Sequence, residues 1–210
     1  MVRITASFDD GCQLDERLAK LCLKYKVPTV FYIPVDYLAL AYQKGYEPLT
    51  PKTYRYIADN FEIGSHGVTH SYLTSIPIEE AKQEIYESKI ILENLLGKPV
   101  TKFCYPRGYY NDEIKELVKE AGYEMARTTQ VGVLKSDDPY ATGSAVHIGC
   151  PVRPEYEGTT WVDYGIRMLD KAQEEAEHGI VDYHLWGHSH EIDRYNEWDN
   201  VERFFKELAK

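Results

Sequence analysis

Two adjacent carboxylates, Asp9 and Asp10, follow the apolar run Val2 to Phe8 and precede Gly11. Such a pair can divide two jobs, accepting a proton and holding a cation. Neighbouring side chains on an extended segment point opposite ways, so both reach one site only if the backbone turns, which Gly11 permits. Taken alone, Asp-Asp-Gly is also an ordinary turn. Ser65-His66-Gly67-Val68-Thr69-His70 places two histidines four residues apart, a spacing from which both can reach one metal ion. Two histidines and a carboxylate are the usual facial set for a catalytic metal with open positions, and Asp10 could supply the carboxylate. In Phe103-Cys104-Tyr105-Pro106-Arg107-Gly108-Tyr109, Pro106 and Gly108 shape a loop whose backbone N–H groups could face a site. The run His184-Leu185-Trp186-Gly187-His188-Ser189-His190-Glu191 brings three histidines, whose unperturbed pKa of about 6.5 suits proton transfer near neutrality.

These groups lie far apart in the chain, so the fold must gather them. Val2 to Phe8 reads as a buried strand, and Leu14, Leu18, Leu21, Cys22 and Tyr25 then recur at helical spacing. Val27 to Ile33 reads as a second strand, and Thr50-Pro51 supplies the N-cap and first position of a helix reaching about Asn60. Phe61 to Ser65 is a short third strand, followed by an amphipathic helix from Ile78 to Leu96 that Gly97 ends. Strand Val100 to Tyr105, a helix capped by Asn111 and closed by Gly122, and strand Tyr123 to Thr128 continue the alternation. Between Gln130 and Thr160 only a short strand at Ala145 to Ile148 is legible, and Pro34 to Thr50 carries no readable pattern. Helix Trp161 to His178, strand Ile180 to Trp186 and a last helix, Trp198 to Leu208, complete the series. The repeated β-α units predict a parallel sheet in one α/β domain over residues 1–210, an irregular barrel rather than an open sheet. Parallel α/β folds place reacting groups at the carboxyl ends of strands, and all four motifs fall there.

Composition narrows the partners. Asp and Glu number 34 against 24 Lys and Arg, and the net charge of -10 repels phosphate backbones and anionic lipid, so nucleic acid is excluded as a partner. No segment approaches the ~20 apolar residues of a membrane span. The opening residues lack the basic and apolar regions of a secretory signal, which predicts a cytoplasmic location. Cys12, Cys22, Cys104 and Cys150 show no C-x-x-C pair and are read as reduced, buried thiols.

In their order along the chain, Ser7-Phe8-Asp9-Asp10-Gly11, the His66 to His70 pair, the Tyr105-Pro106-Arg107-Gly108 loop and Trp186-Gly187-His188 resemble the polysaccharide deacetylase family. That family is also called NodB-homology or carbohydrate esterase family four, and the resemblance runs from Ser7 to about His190. It implies an irregular, incomplete (β/α) barrel and hydrolysis of a non-peptide C–N amide bond, most often an N-acetyl group on an amino sugar. It implies Asp9 as general base, Asp10, His66 and His70 as ligands of one divalent metal ion, and His188 as general acid. Zinc ranks first as the ion, with nickel and cobalt as alternatives. Such an ion polarises the acyl oxygen and acidifies water. Tyr105 and the backbone N–H of Arg107 would face the substrate carbonyl, and the substrate would be a carbohydrate or other small molecule.

Three departures qualify the match. Where many relatives have Arg-Pro-Pro-Tyr-Gly this chain has Cys104 to Gly108, so the arginine that orients the base is missing there, and Arg127 is the residue placed to replace it. The relatives' aspartate-tryptophan motif is absent, with Trp161-Val162-Asp163 only a distant echo. Export signals are common in the family and lacking here. Among the late histidines, strand alternation puts His184, Trp186 and His188 on one face, and depth in the barrel ranks His188 first as acid, His190 second on a following loop, and His184 last as a packed interior residue. The rival readings are an amidohydrolase of other specificity on the same fold, such as a deformylase or a cyclic ureide or imide hydrolase, and a catalytically silent metal-binding module. A non-haem iron oxygenase also uses two histidines and a carboxylate, but its usual all-β scaffold conflicts with the β-α alternation.

Overall fold

The computed structural model describes residues 1–209. Strands β1 (Val2–Asp9), β2 (Thr29–Ile33), β3 (Glu62–Ser65), β4 (Lys102–Cys104), β5 (Met125–Arg127), β6 (Val146–His147) and β7 (Val181–Gly187) form one seven-stranded sheet in the order β5-β4-β3-β2-β1-β7-β6. Every strand pairing is parallel, and β1, between β2 and β7, registers Phe8 against Phe31 on β2 and against Gly187 on β7. The sheet curls into a half-barrel, the irregular barrel that the β-α alternation predicted and that the family resemblance implied. Residues 139–148 run across its open side. Thr142 N–H donates to Ala126 O and Thr128 N–H to Thr142 O at one edge, while Ala145 N–H reaches His184 O and Ile148 N–H reaches Trp186 O at the other. This segment therefore bonds to edge strand β5 on one side and, as β6, to β7 on the other, which blunts the unpaired edges an open sheet would present.

Helices α1 (Asp15–Tyr25), α3 (Pro51–Asn60), α4 (Ile78–Leu96), α5 (Asp112–Glu120), α6 (Trp161–Glu175) and α8 (Trp198–Leu208) lie where the periodicity placed them. The read caps form as chemistry requires: the Thr50 hydroxyl accepts from Thr53 N–H, Asn111 Oδ1 accepts from Ile114 N–H, and Gly97 is left-handed at φ 65°. Two further helices occupy stretches the sequence left blank. Helix α2 (Tyr37–Lys44) lies inside the unread segment from Pro34 to Thr50, and α7 (Ser189–Arg194) takes the place of the loop expected after β7. His190 is thus helical, a correction with a physical cause: the Asp15 carboxylate accepts from Ser189 Oγ at 2.5 Å and pins the first turn.

One apolar cluster packs Phe8, Phe31, Ile63 and Leu185 of the sheet against Leu18, Ile57, Trp161 and Phe204 of the surrounding helices. A second packs Phe103 and Ala126 against Ile85, Leu92 and Val118 of α4 and α5. A fully buried side chain such as Phe31 contributes about 1.5–3 kcal/mol. These two clusters hold the strand ends that carry the site. All four cysteines are free and buried, as the irregular spacing predicted.

Candidate active site

Asp9 is the last residue of β1, and the chain turns immediately after it. The turn sits at Asp10 itself, with φ 84°, and continues through Gly11 at φ 73°. Aspartate tolerates this left-handed region better than most residues. Both carboxylates consequently face one side, and each is almost fully buried, at 2% and 0% exposure.

His66 follows β3, and its Nδ1–H donates to Cys104 O at 2.8 Å. That bond leaves the Nε2 lone pair of the neutral ring facing Asp10 Oδ1, 3.6 Å away. His70 reaches the same oxygen with Nε2 at 3.4 Å, from a left-handed backbone at φ 63°. Burial pushes both imidazoles down, His70 to about 3, so neither is protonated at neutral pH. The loop between them is held by Glu84 of α4: Oε2 accepts from Val68 N–H at 2.8 Å and Thr69 N–H at 2.9 Å, and Oε1 accepts from Thr69 Oγ1. Gly67 makes room for this, since a Cβ there would lie 2.9 Å from Glu84 Oε2.

Four groups of His, Cys, Asp and Glu converge closely enough to hold a cation among the described residues. The set Asp10, His66 and His70 fits best. Asp10 Oδ1 is buried with no hydrogen-bond partner, and a carboxylate oxygen facing a nitrogen lone pair is repulsive unless a cation lies between them. Tetrahedral ligands of zinc at 2.0–2.1 Å lie roughly 3.4 Å apart, close to the spacings seen. The opposite oxygen, Asp10 Oδ2, is already engaged by Lys44 Nζ at 2.5 Å and His190 Nε2 at 3.1 Å, which weakens the set Asp10, His188 and His190. The set with Cys104 is weakened because burial holds that thiol well above its usual value.

Arg127, at the end of β5, stands against Asp9. Its Nη2 pairs with Asp9 Oδ2 and also contacts Cys104 Sγ at 2.9 Å, while its guanidinium lies 4.6 Å from the Trp186 ring and 5.4 Å from that of Tyr32. Burial would raise the Asp9 carboxyl, but Arg127, His66 and His188 together hold it below its usual value. Asp9 is therefore ionised, with Oδ1 buried and free of hydrogen bonds. Across the site, His188 Nε2 lies 3.9 Å from Asp9 Oδ2 and 3.7 Å from Asp10 Oδ2. Its Nδ1–H donates to Glu191 Oε2 at 2.6 Å. Burial opposes charge on His188, yet Glu191 and Asp10 outweigh it and raise the imidazole to about 9.

These side chains open into a cavity of about 280 Å³ lined also by Lys44, Tyr105, Arg107, Thr129, His147, Cys150, Arg153 and Trp186. The Tyr105 ring lies in that wall, its hydroxyl donating to Tyr140 O at 2.9 Å. His190 backs the site rather than lining the cavity, stacked 4.6 Å from Tyr46 and bonded to Asp10. His184 lies away from the site, half-buried beside a second cavity, bonded through both ring nitrogens to the Thr5 and Ser7 hydroxyls at 2.8 Å. Sequence reasoning did not single out Lys44, Glu84, His147 or Glu191. His147 stacks on Trp186 at 3.9 Å and brings Nε2 to 3.0 Å from Glu191 Oε2.

The sequence model described as polysaccharide deacetylase matches residues 2–126. A peptidoglycan-N-acetylglucosamine deacetylase of Bacillus cereus is 27% identical over 123 residues, which are 58% of this chain and 54% of that protein. Among solved structures, one from Mycobacterium smegmatis, described as a candidate polysaccharide deacetylase, gives a TM-score of 0.68 at 15% identity and covers 99% of this chain and 84% of that one. BA3943 of Bacillus anthracis, described as a CE4 family pseudoenzyme, gives a TM-score of 0.60 at 14% identity over 99% of this chain and 61% of that one. At such identities the structural likeness concerns the fold alone. The matched stretches span 27%, 54% and 24% of the curated relatives' own lengths.

Proposed function

The chain belongs to the polysaccharide deacetylase family, and from that premise we propose that it is a metal-dependent hydrolase removing an acyl group from the nitrogen of an amino-sugar-containing substrate. The observation that carries this reading is the pairing of two unpartnered buried oxygens, Asp9 Oδ1 and Asp10 Oδ1, on adjacent residues with distinct surroundings. Asp10, His66 and His70 would hold a divalent ion, zinc foremost, supplying Lewis acidity that polarises an amide carbonyl and acidifies water.

Asp9 then takes the proton from the attacking water at Oδ1, because Oδ2 is held by Arg127 and the pair fixes the carboxylate in its ionised form. The bend at Arg107 and the ring of Tyr105 confine the acyl group against the cavity wall, with the Arg107 N–H as the donor toward the carbonyl oxygen. His188, protonated on the side facing Asp9 and Asp10 and oriented by Glu191 on the other, delivers its Nε2 proton to the departing amine. A silent binding module needs neither a free base oxygen nor a protonated histidine opposite it, so both features support turnover.

The test is an amine-release screen of metal-loaded protein over N-acetyl sugars, sugar nucleotides and simple amides, with Asp9→Asn as control. Release from an N-acetylated sugar, lost in Asp9→Asn while the metal is retained, supports the reading. Release confined to non-sugar amides moves the assignment to another amidohydrolase, and no release from any of them favours the silent module.

A further inference from the structure

Each charged group around the cavity except one has its own counter-charge. Asp9 is paired with Arg127, Asp10 with Lys44, Glu191 with His188, and Arg153 with Glu155. Arg107 has no carboxylate partner among the described residues; its guanidinium lies over the exposed ring of Tyr72, 4.3 Å from the centroid. Tyr109 stands beside Tyr72 at 5.6 Å, also exposed, so two amphipathic rings flank the cation at the cavity mouth.

The backbone makes the same point independently. Arg107 is left-handed at φ 59°, a region unfavourable to a long side chain, and Gly108 follows at φ 79°. Gly108 is forced by packing, since a Cβ there would meet Thr129 Oγ1 at 2.1 Å. At residue 107 a glycine or asparagine would relieve the backbone, yet an arginine occupies it with its head exposed and unpaired. A residue held in this backbone region whose cation faces an exposed ring and no counter-charge points to an anionic ligand. The residue at 107 is a planar cation with donors arranged for bidentate binding of a carboxylate or phosphate.

We infer that the amide substrate carries an anionic group, a carboxylate or a phosphate, and that Arg107 binds it at the mouth of the cavity. This rests on the deacetylase reading for the amide and on Arg107 alone for the charge. The unpaired cation stands out in a chain whose net charge of -10 would otherwise repel such a substrate.

The experiment compares N-acetylglucosamine, N-acetylmuramic acid and N-acetylglucosamine 6-phosphate as neutral, carboxylate and phosphate probes of wild type, Arg107→Gln and Arg107→Lys. The expected result is a kcat/KM for at least one anionic probe roughly tenfold or more above the neutral one, the scale of a charge-assisted hydrogen bond. That ratio falls to about one in Arg107→Gln, returns in part in Arg107→Lys, and shrinks as salt is raised. Which anionic probe is preferred separates carboxylate from phosphate. Equal rates for all three in wild type, or a preference that survives in Arg107→Gln, would overturn the inference. Binding of the same probes by calorimetry gives the comparison without turnover. Absent hydrolysis with Arg107-dependent anion binding would count against the deacetylase reading alone, while equal binding of all three probes overturns the anionic substrate.

Discussion

Replacing Arg127 by methionine removes the cation that holds Asp9 while keeping much of the side-chain volume packed against Trp186 and Tyr32. Both partners are buried, Arg127 at 1% and Asp9 at 2%, so solvent screens the pair little. Two unit charges about 4 Å apart at an effective dielectric constant of ~20 interact by about 4 kcal/mol, and carboxylates beside arginine are typically lowered by about 1–3 pKa units. In wild type the depressed Asp9 carboxyl gives stability that is complete above its unfolded pKa of about 3.9 and is lost as pH falls through the lower folded value. In Arg127→Met, burial acts on Asp9 with its principal counter-charge gone and the folded pKa rises. The penalty, on the order of 3–5 kcal/mol for breaking a buried pair, is then largest at neutral and alkaline pH and smallest below about pH 4. Denaturant melts at several pH values should show that slope. The acid limb of kcat/KM should move upward by roughly 1–3 units, because the base must still ionise. Adding Asp9→Asn to the variant should restore part of the stability, since no buried charge is then left unpaired. An unmoved acid limb together with a double variant no more stable than the single one would refute the argument that Arg127 sets the state of Asp9.

Glu84→Ala should loosen the loop from His66 to His70 and weaken metal binding about 10–100-fold, measured by competition with a chelator; unchanged affinity would mean that the loop is held without it. In metal-free protein, His188 should titrate near about 9 by NMR, its ion pair adding stability that is full below about pH 6.5 and lost as pH rises through about 9. Glu191→Gln should move that titration down by about 1–2 units, and a wild-type value near 6.5 would show that the pair does not form. His188→Ala should keep its metal and lose roughly 10²-fold in kcat, whereas His190→Ala should instead weaken the metal, having released Asp10 Oδ2. The opposite pattern would make His190 the acid.

Residues whose meaning is local were legible in the sequence. Asp9-Asp10-Gly11 and the His66 to His70 spacing declare a turn and a ligand pair within a few positions, and the β-α alternation places both at strand ends. Arg127 was readable because the loop at Cys104 lacked an arginine and the next strand end carried one. Lys44 and His147 were not, because α2 has weak amphipathicity and β6 is only Val146–His147 inside an irregular stretch whose hydrogen bonds run to β5 and β7. Their positions depend on tertiary pairing, which leaves no period in the chain. Glu84 and Glu191 did leave a signal. Glu84 falls among Ala81, Ile85, Ser88 and Leu92 on the buried face of α4, where an acid demands a partner, and Glu191 follows His188 at the spacing of side chains that meet on one helical turn.

If Asp10, His66 and His70 hold the ion on which amide hydrolysis depends, losing a ligand must cost both ion and turnover. The most direct measurement is metal content per chain, paired with amine release, for wild type, Asp10→Ala, His66→Ala and Asp9→Asn after chelation and reloading with zinc, cobalt or nickel. Wild type and Asp9→Asn should each hold one divalent ion per chain, the two ligand variants none, and only reloaded wild type should release amine. Release that persists in fully chelated protein, or an ion that stays bound in both Asp10→Ala and His66→Ala, would contradict that expectation.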